Sequence, residues 1–148
     1  MKVKDCMQNN VCYVTPDVKL DQVSKLMGEN HVGAIPVCDE NNGVCGIVTD
    51  RDIVLRAIAC DKDVKNTPVS EIMTTNIFTC KQDDDVQNAE NTMEKNQVRR
   101  VPVVDMNNNV IGILTLEDLI NNDNKIGKEQ VFATIEGICD CDENKNAE

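Results

Sequence analysis

Two stretches of the chain have residue types and spacing suited to chemistry, and one is written as a copy of the other. Gly46-x-x-Thr49-x-x-Asp52 and Gly112-x-x-Thr115-x-x-Asp118 each set a threonine, and three residues later an aspartate, directly after an apolar run. A carboxylate at a helix start can accept hydrogen bonds from both hydroxyls of a ribose, while free N–H groups of the first turn attract a phosphate. The same spacing also reads as a capping box, with Thr49 or Thr115 as cap and the aspartate as a shorter stand-in for glutamate. The two roles can coexist, because capping uses the threonine oxygen and leaves the carboxylate partly free.

The arginines bear on the same question. Arg51 and Arg56 lie in and after the first motif, and Arg99 and Arg100 precede a proline-bearing apolar run. Arg51 with Arg99 or Arg100 reads as a set of fork-shaped donors for a phosphate; alternatively Arg51 and Arg56 are solvated helix residues and Arg99-Arg100 forms an edge salt bridge. Catalysis finds little support. There is one histidine, no Ser-His-Asp spacing, no metal-ligand cluster and no Walker-type phosphate loop. Asp50 and Asp52 share one turn, where they cap or bind ribose. His31, beside Asn30, reads as a capping or surface residue. Cys139-x-Cys141 lacks the spacing and the second pair of a zinc site, which leaves a weak metal or thiol role as an alternative. Met7, Met27, Met73 and Met93 read as packing.

The elements that must position these residues follow from an internal repeat. Pro102 lies 66 positions after Pro36, and the same offset matches Met7 with Met73, Met27 with Met93, Pro36-Val37 with Pro102-Val103, and Asp39-x-Asn41-Asn42 with Asp105-x-Asn107-Asn108. In the first copy, Val11-Cys12-Tyr13-Val14 predicts a strand closed by Thr15-Pro16-Asp17. Leu20, Val23, Leu26 and Met27 fall at helical spacing. Ala34-Ile35-Pro36-Val37-Cys38 and the run 44–48 predict a hairpin around Asp39-Glu40-Asn41-Asn42-Gly43. A second helix is expected from the first motif through Ile53, Val54, Ala57 and Ile58. The second copy repeats this order, with a strand at Ile77-Phe78-Thr79-Cys80 and a helix over 86–94. Its turn lacks the glycine, but asparagine tolerates the left-handed geometry. The expected organisation is a first repeat over 1–60, a linker over 61–68, a second repeat over 69–121 and a C-terminal extension over 122–148. In that extension Val131-Phe132-Ala133-Thr134-Ile135 forms one more short element, and a disordered acidic tail follows.

Repeats of this size bury little surface alone, so the two are expected to complete a core together, with a cleft between the halves. A formal net charge of −11 argues against nucleic-acid or anionic-membrane partners, which need a basic field. No apolar run is long enough to cross a bilayer, and Met1-Lys2-Val3 does not open a charged-then-apolar leader, so a cytoplasmic protein is expected. The eight cysteines lie partly in apolar strand and helix patterns and read as reduced thiols.

With those residues in view, the chain resembles a tandem cystathionine-β-synthase-type (CBS) domain pair, or Bateman module, over about residues 2–121. The resemblance rests on Pro36-Val37 and Pro102-Val103, the acidic turns after them, and Gly-x-x-Thr-x-x-Asp at 46–52 and 112–118. It implies an α/β fold of two pseudo-symmetric CBS repeats, each a small sheet with two helices packed on it in the order strand-helix-strand-strand-helix. It also implies a homodimer and clefts that bind adenine nucleotides or related adenosyl compounds. The closing Asp would hold the ribose hydroxyls, the Thr would contact ribose or phosphate, and the residues before the proline-bearing strand would line the base. Carried over, one cleft combines Thr49, Asp50, Arg51 and Asp52 with Val98, Arg99, Arg100 and Val101. The other combines Thr115, Glu117 and Asp118 with Val32, Gly33, Ala34 and Ile35. The first is then expected to prefer a phosphorylated ligand, because Arg51, Arg99 and Arg100 converge on it. The second, with Gly33, Ala34 and Glu117 in the matching places, is expected to be empty or to take a less charged ligand.

The expected function is that of a stand-alone, non-enzymatic regulatory module that senses AMP, ADP, ATP or another adenosyl compound, with no required cofactor or metal and with an unidentified effector protein as a further partner. The alternatives are a dimerisation scaffold with unoccupied clefts, or a thiol or metal sensor through Cys139 and Cys141.

Overall fold

A computed structural model describes residues 1–140. The expected disordered tail falls outside these residues from position 141 on, as does Cys141. The fold is α/β, built on a two-stranded and a three-stranded sheet with helices. The described chain divides into two compact units that interleave in sequence. Unit one comprises Met1–Asn9, Phe78–Val104 and the described part of Ile111–Glu148, and unit two comprises Asn10–Ile77 and Asp105–Val110.

In unit two, helix α1 (Leu20–Asn30) buries Leu20, Val23 and Met27, the inward positions of a 3.6-residue period. It is closed by His31, whose left-handed backbone (φ 53) directs its N–H to the Met27 carbonyl, the usual geometry of a helix C-terminus. Strands β1 (Ala34–Cys38) and β2 (Val44–Thr49) form an antiparallel hairpin with a bulge at Val37/Cys38. In its turn the Asp39 carboxylate accepts the N–H groups of Asn41 and Gly43 at 2.9 and 3.0 Å. The left-handed residue there is Asn42 (φ 62), and its equivalent in the second turn is Asn108 (φ 66). Asparagine thus takes this conformation in both turns, and Gly43 is not needed for it.

The motif after β2 opens a short helix α2 (Asp50–Asp52), which continues as a π-helical turn over Ile53–Ile58. Ala59 N–H donates to the Val54 carbonyl and Lys62 N–H to that of Ala57, five residues back in each case. Ile53 and Ala57 point into the core, whereas Val54, Leu55 and Ile58 are about half exposed.

The strand expected at Val11-Cys12-Tyr13-Val14 is reduced to a single parallel bridge of Val14 with Val37. Val14 N–H donates to the Pro36 carbonyl and Cys38 N–H to that of Val14. The next rung of a parallel ladder needs a donor at position 36, and proline has none. Pro102 acts at the same level in unit one, where β3 is confined to Cys80–Lys81, paired in parallel with Val103 and Val104. The strand expected from Ile77 therefore starts only at Cys80.

Unit one continues with α3 (Val86–Asn96), capped by Asp85, whose carboxylate accepts the Gln87 N–H at 2.9 Å. Strands β4 (Arg100–Val104) and β5 (Val110–Thr115) follow, then helices α4 (Leu116–Asn121), α5 (Asp123–Ile126) and α6 (Lys128–Cys139). The extra C-terminal element is thus a full helix. It turns Val131, Thr134 and Ile138 inward and packs on α3. Gly137 permits the approach, since a Cβ there would lie 2.9 Å from the Glu94 side chain. Glu90 of α3 is wholly buried and accepts hydrogen bonds from the Gln130 amide and, at 3.2 Å, the Thr134 hydroxyl. The first nine residues also belong to this unit: Val86 N–H bonds the Met1 carbonyl, and Gln8 and Ile113 exchange two backbone hydrogen bonds. Among the described residues no helix is long and apolar enough to cross a membrane.

Candidate functional site

Both motifs form the capping box that their spacing suggests. Thr49 Oγ1 accepts the Asp52 N–H at 3.0 Å, and Asp52 Oδ2 accepts the Thr49 N–H at 3.0 Å. In the second copy Asp118 Oδ2 accepts from both the N–H and the hydroxyl of Thr115 at 2.8 Å, and Asp118 N–H reaches Thr115 Oγ1 at 3.3 Å. Each cap is preceded by a glycine that lets a neighbouring segment close in. A Cβ on Gly46 would stand 2.6 Å from Met73 Sδ, and one on Gly112 would stand 2.8 Å from both Met7 Sδ and the Gln8 carbonyl oxygen. The recurring methionines therefore pack beside the motifs.

The residue after each of those methionines reaches the motif aspartate, and here the copies part. In unit two Thr74 Oγ1 touches Asp52 Oδ2 at a long 3.4 Å. Arg56 anchors itself on the Ile72 carbonyl (3.1 Å) and Thr74 Oγ1 (3.2 Å), and its Nε lies 3.7 Å from Asp52 Oδ1. That is an ion-pair distance beyond hydrogen-bond reach, so among the described residues no hydrogen bond is made to Asp52 Oδ1. In unit one the amide of Gln8 donates to both oxygens of Asp118, at 3.0 Å to Oδ1 and 3.3 Å to Oδ2. The position matching Arg56 is Asn122, which donates to the Asp118 backbone carbonyl instead. Asp118 is buried, and Glu117 beside it is exposed.

The strand-entry residues meet the motif of their own unit. Asp50 N–H donates to the Gly33 carbonyl at 3.0 Å, and a Cβ on Gly33 would lie 3.3 Å from the Asp50 carboxylate. Leu116 N–H donates to the Arg99 carbonyl at 2.9 Å. Val32, Gly33, Ala34 and Ile35 thus belong to unit two with Thr49, Asp50, Arg51 and Asp52. Val98, Arg99, Arg100 and Val101 belong to unit one with Thr115, Glu117 and Asp118. Ile35 and Val101 are fully buried in the cores of their units, so neither residue presents a surface to a ligand. Arg51 and Arg99 are exposed, and Arg100 is half-buried.

Gln8, Arg56 and Thr74 were not among the site residues expected from sequence. Their signal was the offset itself, since Gln8 and Thr74 follow the matched Met7 and Met73. A cavity of about 520 Å³ in unit two, walled in part by Tyr13, Val18, Lys25 and Leu26, contains none of the motif residues.

Thiol chemistry is disfavoured at the buried cysteines. Burial pushes the Cys6 and Cys38 thiols up to about 11 and that of Cys80 to about 12, and it also raises Cys12 and Cys45. The thiolate is the nucleophile and metal ligand, so Cys6, Cys38 and Cys80 stay protonated near neutrality. Among the described residues no cluster of three or more His, Cys, Asp or Glu could hold a metal ion.

Comparison with known proteins agrees with this architecture. The CBS domain family matches residues 3–58 and again 69–125. The chain is 41% identical over 121 residues to the CBS domain-containing protein YhcV of Bacillus subtilis, covering 81% of this chain and 84% of that one. Among solved structures, the CBS domain pair of protein MJ0100, in complex with 5′-methylthioadenosine and S-adenosyl-L-methionine, superposes with a TM-score of 0.74 at 30% identity. That match covers 82% of this chain and 98% of the other. CBSX2 in complex with AMP superposes with a TM-score of 0.72 at 26% identity, over 84% and 97% of the two chains. Two matched repeats, each with its capped Gly-x-x-Thr-x-x-Asp turn after a proline-bearing hairpin, place this chain in the CBS domain family as a tandem pair.

Proposed function

We propose that this chain is a regulatory module that binds an adenosyl ligand at its Thr-x-x-Asp motifs, with the Asp52 motif as the principal site. The observation that carries this reading is the division of labour within the Asp52 carboxylate. The cap uses Oδ2 and leaves Oδ1 as an acceptor for a ribose hydroxyl. Exposed Arg51 and the Arg56 guanidinium 3.7 Å from Oδ1 add donors suited to a phosphorylated ligand. The adenosyl ligands held by MJ0100 and CBSX2 support the same ligand class. Preference for the Asp52 motif rests on its available oxygen. Ligand binding acts on a partner by favouring one state of the module over another, and no catalytic step is assigned to it.

The test is a thermal-shift screen of the full chain against adenine and guanine nucleotides, NAD and S-adenosylmethionine. A ligand that binds only the folded form stabilises it by about 2.7 kcal/mol at a hundredfold excess over its Kd. An adenine-selective rise in Tm that Asp52→Ala removes is the expected result. A wild type that no adenosyl compound shifts would sink the reading.

One observation favours a second role beside the first. Val54, Leu55 and Ile58 stand about half exposed along one π-helical turn, a grouping suited to pairing two copies of the chain. A mass measurement in solution showing a homodimer that Ile58→Asp converts to monomer supports that role, and a monomeric wild type removes it.

A further inference from the structure

The two motif aspartates carry the same cap and differ in what else holds them. We propose that Gln8 is a built-in occupant of Asp118, standing where ligand hydroxyls would bind, so that the second motif is gated by the chain's own N-terminal segment while the first stays open. This inference rests on the reading of the motif carboxylates as ribose acceptors and adds the regulation of one of them.

The Gln8 contact takes the acceptor that a ligand hydroxyl would use. A single amide nitrogen lies 3.0 Å from Oδ1 and 3.3 Å from Oδ2 of Asp118, so the oxygen that the cap would leave available is taken. At the equivalent place in the first repeat stands Thr74, whose shorter side chain contacts only the capped oxygen of Asp52, at 3.4 Å. Glutamine in place of threonine at this repeat position therefore takes Oδ1 of Asp118, whereas Oδ1 of Asp52 has only the Arg56 guanidinium at 3.7 Å beside it. The backbone holds the gate in register, because Gln8 and Ile113 exchange hydrogen bonds of 2.9 and 3.1 Å and Gly112 leaves no room for a Cβ against the Gln8 carbonyl. Gln8 itself is exposed and Asp118 is buried. The side chain can accordingly swing into solvent without disturbing the core, and when it does, Asp118 Oδ1 loses its donor unless a ligand supplies one, while Oδ2 keeps the N–H and hydroxyl of Thr115. A ligand at Asp118 must displace an amide bound to a charged acceptor, which weakens it there by about tenfold or more relative to an ungated motif.

The test uses the full chain and AMP as probe, with equilibrium dialysis read as stoichiometry and Kd. Wild type is expected to bind one AMP per chain with Asp52, and Asp52→Ala to leave weak binding or none. Adding Gln8→Ala to Asp52→Ala is expected to tighten AMP binding by at least about tenfold, and Gln8→Ala alone to bring the chain towards two AMP per chain. Gln8→Thr, which copies the first repeat, serves as the conservative variant, and circular dichroism with Tm checks that each protein is folded. If Gln8→Ala does not fold, Gln8→Thr decides by the same readout. Wild-type binding that depends on Asp52, with no gain at Asp118 in either folded Gln8 variant, overturns the gate and keeps the proposed function. A gain in the Gln8 variants that Asp118→Ala abolishes, without wild-type binding, upholds the gate and removes Asp52 as the principal site. If no variant binds AMP, both fall.

Discussion

Two turns with the same local chemistry, Thr49 to Asp52 and Thr115 to Asp118, end up in different electrostatic surroundings. Around Asp52 stand a threonine hydroxyl at the limit of contact and a half-exposed guanidinium. Around Asp118 stand a glutamine amide on both oxygens and an extra bond from the capping hydroxyl. The capping box is made by four consecutive residues and is therefore copied faithfully. The further partners come from outside that turn, Arg56 from the next helical turn and Thr74 and Gln8 from 22 and 110 positions away, and there the copies have diverged. Duplication thus preserved the turn and left the carboxylate free to acquire a separate use in each repeat.

The largest effect that separates the repeats is expected in their cores. Leu119 and Ile53 are equivalent by the offset, and Leu119 is wholly buried whereas Ile53 keeps 6% exposure on a π-helical turn. Leu119→Ala should cost about 2–5 kcal/mol, with Ile53→Ala towards the lower end of that range, because a site that can relax recovers part of the cavity term. Chemical denaturation of the two variants measures the difference, and equal losses would contradict it.

The glycines come next. At Gly112 an added methyl meets the Gln8 backbone carbonyl at 2.8 Å, whereas at Gly46 the nearest atom is the flexible Met73 sulfur, with backbone only at 3.1 Å. Gly112→Ala is expected to destabilise by about 2–3 kcal/mol and Gly46→Ala by about 1 kcal/mol. The reverse order in a Tm comparison would show that the sulfur, not the backbone, sets the limit.

The caps give a smaller contrast. Thr49→Ala should cost about 1 kcal/mol, the usual loss of an N-cap. Thr115→Ala should cost about 1 kcal/mol more, because the buried Asp118 carboxylate also loses its hydroxyl donor. Equal Tm shifts for the two would mean that Gln8 and the residue-115 N–H satisfy Asp118 without the hydroxyl.

The smallest effect concerns the turns. The Asn109 N–H, opposed by desolvation and aided by the Asn107 N–H and the Asn109 side chain, holds the Asp105 carboxyl below the ordinary carboxylate value. A depressed folded pKa contributes stability above the unfolded pKa of about 3.9, and that contribution is lost as pH falls through the lower folded value. The Asp105 turn should therefore hold at pH 5 and loosen only below about pH 4. Carboxyl chemical shifts followed by NMR check this, and a midpoint at or above the ordinary value would contradict it.

Much of this was legible from the chain because it depends on neighbours in sequence. Thr49 caps Asp52 and Thr115 caps Asp118 across three residues, Asp39 and Asp105 organise turns across four, and Leu20, Val23 and Met27 show a helix by their period. The first strand of each repeat was overestimated for a reason that is not local. Val11 to Val14 has strand composition, but its ladder ends where Pro36 on another strand lacks a donor. The apolar run at 131–135 marked only a short part of α6, whose inward residues are Val131, Thr134 and Ile138, with the threonine on buried Glu90.

By itself, then, the sequence determined the repeat, the hairpins, the caps and the family, since each is set by contacts within a few residues or by a pattern written twice. The tertiary structure alone decided that Met1–Asn9 joins the unit of the second repeat and that the Gln8 amide, 110 positions away, takes both oxygens of Asp118. A capping bond forms wherever its four residues adopt the turn. A contact such as Gln8 with Asp118 exists only after the backbone exchange of Gln8 with Ile113 has brought the segments together, and no spacing in the chain encodes that distance.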